Sequence, residues 1–81
     1  MEINPFQRMV LNTLARHFGN NGAKEIADSV CKKMGITIYD ISPHNIIKFS
    51  DLMKSEIIKR VDAWKSEFIA GTLKHFAKMK S

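Results

Sequence analysis

The chain has 81 residues, a formal net charge of +5, 44% hydrophobic and 26% charged residues, with 4 Gly and 2 Pro. At this length roughly 60% of the surface is buried on folding, enough for one modest core and little else, so a self-contained catalytic cleft is disfavoured. The composition is too apolar for a disordered chain, and the basic balance brings nucleic acid and other anionic partners into consideration.

In chain order, Asn4-Pro5 reads as a helix start. Asparagine accepts from an orphan N–H, and proline is tolerated at the first helical position. Phe6, Val10, Leu11, Leu14 and Phe18 then fall on one side at helical spacing. Gly19 supplies a stop, and Gly19-Asn20-Asn21-Gly22 reads as a short turn rich in residues that tolerate left-handed geometry. A second helix is expected from about Gly22 to Met34, with Ala23, Ile26, Ala27, Val30 and Met34 on one face and Gly35 as its stop. Glu25 and Asp28 early and Lys32 and Lys33 late suit the helix dipole. The stretch from Ile36 to Ile41 is β-prone but has no second strand to pair with. It reads as an extended connector that plugs Ile36, Ile38 or Ile41 into the core.

Ser42-Pro43 is the sharpest boundary in the chain, a capping residue followed by a first-turn proline. From Pro43 to about Met79 no further proline occurs and only Gly71 interrupts. The apolar stripe changes phase along this stretch. Ile46, Phe49, Leu52, Met53 and Ile57 cluster in one direction, and Val61, Trp64, Phe68, Ile69, Leu73 and Phe76 in another, about a quarter turn away at about 100° per residue. Either the helix breaks or kinks within residues 54–60, or one continuous helix serves two cores. The predicted architecture is all-α: a short antiparallel helical hairpin packed on a long C-terminal helix, either continuous or kinked or broken, giving three to four helices in one domain over residues 1–81, with 61–81 as an extended partner-binding helix.

Charge is unevenly shared. Residues 42–81 carry 8 basic and 4 acidic side chains, a net of +4, and residues 1–41 only +1. Arg60, Lys74, Lys78 and Lys80 are candidate phosphate contacts, since each cation adds sequence-independent, salt-sensitive affinity. A solvated lysine face at a helix C-terminus is the favoured reading of the same residues. A helix-turn-helix over Ala23 to Ile41 would need a shorter turn than the stretch from Gly35 to Ile41. The segment from Trp64 to Lys80 is amphipathic and could lie on an anionic membrane, although Asp62, Glu67 and Lys65 interrupt the required pattern, so a membrane surface is the least expected of these partners.

The single cysteine, Cys31, allows no internal disulfide and fits a reducing, cytoplasmic compartment. No apolar run is long enough to span a membrane, and the N-terminus lacks the pattern of a signal peptide. His17, His44 and His75 have no metal-ligand spacing. No acid–base, nucleophile or phosphate-loop signature is present, so neither cofactor nor metal is expected and the chain reads as a non-enzyme. The segment from Gly22 to Ile36, followed by Asp40-Ile41-Ser42-Pro43, resembles small helical appendages of prokaryotic signalling proteins, a resemblance that assigns no functional residue. The expected function is a protein–protein interaction module that self-associates, as a dimer, by burying Val61, Trp64, Phe68, Leu73 and Phe76, with Trp64 as anchor. A small nucleic-acid-binding (DNA-binding) protein is the first alternative.

Overall fold

The structure, a computed structural model, describes residues 2–78. It is all-α: α1 spans Pro5–Met34, a single 3-10 turn spans Ile38–Asp40, α2 spans Ile46–Ile57 and α3 spans Ala63–Phe76. No strand occurs among the described residues.

The expected cap at Asn4 is present and reciprocal. The Asn4 Oδ1 accepts from the Gln7 N–H at 2.8 Å, and the Gln7 Oε1 accepts from the Asn4 N–H at 3.0 Å, with Pro5 in the first turn. At the far end Gly35 adopts φ 75°. The Ile36 N–H then reaches the Cys31 carbonyl at 2.9 Å and the Gly35 N–H reaches that of Lys32 at 3.2 Å, closing a Schellman motif.

The four-residue turn expected at 19–22 contracts to one residue. Asn20, Asn21 and Gly22 are helical, and only Gly19 leaves the helix, at φ 78° and ψ 169°. The bend there is sharp. A straight helix of 30 residues would be about 45 Å long at 1.5 Å per residue, whereas the longest dimension of the molecule is 32 Å. Bending lets Phe6, Val10 and Leu14 on one half and Ile26, Ala27 and Val30 on the other join one core. The backbone at Gly19 lies in a region essentially closed to residues with a Cβ, while the space around it is empty. Gly19→Ala should therefore lose about 1–3 kcal/mol through backbone strain alone. Gly71→Ala, in the open middle of α3, should gain about 0.5–1 kcal/mol from helix propensity. Urea midpoints that moved in the same direction for both variants would contradict this account.

The connector is held from both sides. The Thr37 hydroxyl and the Asp40 carboxylate cap the 3-10 turn reciprocally. Of its three isoleucines, Ile41 is buried, whereas Ile36 and Ile38 pack half-buried against the core. The third helix starts at Ile46, not at Pro43. The Asn45 Oδ1 accepts from the Ser42 N–H at 2.9 Å and the Asn45 Nδ2 donates to the Asp40 carbonyl at 2.9 Å, which keeps residues 42–45 in a turn.

The apolar phase change is resolved by a break. The chain leaves α2 after Ile57 and re-enters helix at Ala63, so Ile69, Leu73 and Phe76 of the second stripe turn toward the same core as Ile46, Phe49, Met53 and Ile57 of the first. Lys54 pairs with Glu67 at 3.0 Å and Asp51 with Lys74 at 2.7 Å. Later residues of α2 meet earlier residues of α3, so the two run antiparallel. The same reasoning applies between α1 and α3, where Phe6 meets Phe76 and His17 meets Phe68, each pair with ring centroids 6.5 Å apart. Glu56 accepts from Lys33 at 2.7 Å and from Ser29 at 3.1 Å, tying α2 to the second half of α1. Hydrogen bonds from Lys33 and then Ser29 hold the Glu56 carboxyl below the ordinary carboxylate value.

Candidate functional site

The core divides the five residues expected at an interface. Leu73 and Phe76 are buried within this chain, in the cluster that also holds Ile69, Phe49 and Val10. They pack in this chain's own core, although Phe76 also lines a groove between α1 and α3. The reason is the break after Ile57, which swings α3 back onto the core. Val61 is half-buried. Trp64 and Phe68 remain outside, 68% and 61% exposed. They are one helical turn apart and so present a single face.

Beside them runs an open groove between the first half of α1 and α3. Its floor includes Met9, Thr13 and Phe76, and Phe68 forms part of its wall. Arg8 and Arg16 stand along the α1 side. They are eight residues apart and therefore on one helix face, about 12 Å apart along the axis. His17 lies edge-on to Phe68. Burial, then the charges of Lys65 and Arg16, hold its imidazole below the ordinary histidine value. Arg16 lines the groove from α1, and Lys65 lies on α3, the helix that carries Phe68.

No carboxylate lines this groove. The carboxylate of Glu67 is drawn to Lys54 on α2, whose hydrogen bond and charge keep it below the usual range. Among the described residues, no carboxylate pairs with Arg8, Arg16 or Lys65.

The cations singled out for nucleic acid are all on the outside of the molecule where the structure describes them. Lys74 is paired with Asp51, Arg60 lies exposed in the turn between α2 and α3, and Lys78 is exposed beyond the end of α3. Lys80 lies outside the described residues. Arg8 and Arg16 were not singled out by sequence reasoning, although a signal existed. The chain from Ile3 to Lys24 contains neither Asp nor Glu, and its two arginines are spaced for one face of a helix.

Cys31 is buried in the core, and burial pushes its thiol up to about 11, which leaves little thiolate for nucleophilic chemistry at neutral pH. Among the described residues, no group of three His, Cys, Asp or Glu is placed to hold a metal ion, and no helix is long and apolar enough to cross a membrane. Comparison with protein-family models, with curated proteins and with solved structures finds no match.

Proposed function

We propose that the chain is a non-enzymatic protein–protein interaction module that docks a partner on the Trp64–Phe68 face and the adjoining groove. The exposure of these two aromatics carries the reading. They are the most exposed large apolar side chains among the described residues, in a chain that buries its other phenylalanines of α2 and α3. Large aromatics held in water beside a concave, mainly apolar lining are what interface anchors require before a partner arrives. Self-association is the form of this reading in which a second copy is the partner. Its support narrows to Val61, Trp64 and Phe68 now that Leu73 and Phe76 serve the chain's own core. The nucleic-acid reading has less support, since one of its candidate cations, Lys74, is paired with Asp51.

Trp64 is the only tryptophan, so its emission reports this face alone. It should shift to the blue, and lose accessibility to iodide, when the protein is concentrated from about 1 µM to several hundred µM or titrated with amphipathic helical peptides, conditions that reach Kd values up to about 1 mM. Phe68→Ala should weaken such binding about tenfold, the scale of an anchor residue, while leaving stability within about 0.5 kcal/mol because the side chain is exposed. A Trp64 spectrum indifferent to protein concentration and to every peptide removes the reading.

A further inference from the structure

The charge pattern around the groove says more than that something docks there. Its α1 wall carries Arg8 and Arg16, and no carboxylate lines it. The nearest acidic side chain of α3 in sequence to Phe68, Glu67, is tied to Lys54 on the α2 side. The rest of the lining is mainly apolar, with Met9, Phe68 and Phe76 alongside the short polar side chains of Asn12, Thr13 and Thr72. We propose that the groove receives an acidic amphipathic helix of a partner protein, apolar side chains against Phe68, Trp64 and the floor, and carboxylates along its flank against Arg8 and Arg16. This rests on the docking reading above and adds the chemistry of the partner.

The spacing fits. Arg8 and Arg16 are about 12 Å apart along α1, the rise of two turns of helix, so carboxylates seven or eight residues apart on a docked helix meet both. Arginine's planar fork suits bidentate pairing with carboxylate. Three other occupants fit less well. A second copy related by a two-fold axis would bring the same cations against one another. The two exposed aromatics at about two-thirds exposure offer roughly 250 Å² at 150–250 Å² per aromatic side chain, well short of the ~800 Å² per partner of a standard interface. Nucleic acid would engage the arginines but leave the mainly apolar lining between them unfilled, and a flat lipid surface would not enter a groove.

The test titrates the full chain with a synthetic helix bearing Leu and Phe on one face and Glu on its flanks, and with its inverse carrying Lys for every Glu. Trp64 emission is the readout. The acidic peptide should bind saturably with a Kd below about 1 mM, and the inverse at least about tenfold more weakly. Raising the salt from about 0.02 M to 0.5 M should weaken the acidic peptide severalfold through screening. In the double variant R8E plus R16E the preference should reverse toward the Lys peptide, with the free protein's helical circular dichroism unchanged. Equal binding of both peptides, or a Trp64 shift produced only by concentrating the protein, overturns the acidic partner and leaves the docking reading standing. A shift produced only by a single-stranded oligonucleotide or by anionic vesicles, or by no probe at all, overturns both.

Discussion

Phe49→Ala is expected to remove about 3–5 kcal/mol of stability, the range for deleting a fully buried phenylalanine and leaving its cavity. Phe49 is completely buried and heads the fully buried side chains by volume. It projects from α2 into the cluster that also holds residues of α1 and α3, including Leu14 and Leu73. An 81-residue chain has a total stability of about 4–12 kcal/mol at the usual value per residue, so this one truncation consumes a large part of it. At about 1–3 kcal/mol per molar urea, the denaturation midpoint should fall by roughly 1–5 M. Phe49→Leu keeps most of the volume and should lose less than about 1.5 kcal/mol. A midpoint for Phe49→Ala within a few tenths molar of the parent's would show that α2 is not packed as described.

The second large effect is polar. Gln7 is buried in the first turn of α1, yet its side chain satisfies every polar atom it carries inward. The Nε2 donates to the Tyr39 carbonyl at 2.7 Å and to the Ile41 carbonyl at 3.1 Å, while the Oε1 accepts from the Asn4 N–H. One side chain therefore closes the helix cap and fastens the connector 32 and 34 residues away. Gln7→Met preserves length and apolar contact but strands those backbone groups. The expected loss is about 2–4 kcal/mol, one to three for the buried Ile41 carbonyl and the remainder for the two partly buried partners. Gln7→Glu separates hydrogen bonding from packing. Its ionised carboxylate faces two carbonyl oxygens and donates nothing, whereas the protonated acid donates one hydrogen bond. Its stability deficit relative to the parent should therefore be larger at pH 7 than at pH 4. Urea titrations of parent and variant at both pH values measure this, and a deficit indifferent to pH would mean that the connector is held by Ile41's burial alone.

The site and the core are coupled through α3. Ile69, Leu73 and Phe76 turn inward, which forces Trp64 and Phe68, on the other side of the same helix, to face outward. Substitutions at Trp64 and Phe68 should accordingly separate binding from folding, whereas changes at Leu73 or Phe76 disturb both. Phe76 touches Phe6 edge-on and also floors the groove, so it links the cap region of α1 to the candidate docking surface.

Local chemistry made much of this fold legible in the sequence. Asn4-Pro5, Gly35 and the two apolar stripes after Ser42 announce themselves because caps and helical periodicity depend on neighbours within a turn or two. The all-α class and the stop at Gly35 follow from such short-range signals, whereas two stripes a quarter turn apart fit either a break or one continuous helix serving two cores, and the structure shows the break after Ile57. Tertiary structure decided the rest. Whether Asn20 to Gly22 turn or remain helical depends on what the two halves of α1 bury together, and Pro43 loses its place as helix start because Asn45 finds partners at Ser42 and Asp40. The division of one apolar stripe into Leu73 and Phe76 inside and Trp64 and Phe68 outside is set by where α1 lands on α3, a contact between residues some sixty apart that no local pattern encodes. The charge of +5 is likewise only a sum in the sequence. Folding pairs Lys33, Lys54 and Lys74 with Glu56, Glu67 and Asp51 and sets Arg8 and Arg16 along a groove that no carboxylate lines, because the approach of α1 to α3, and not the sum of charges, decides which side chains meet.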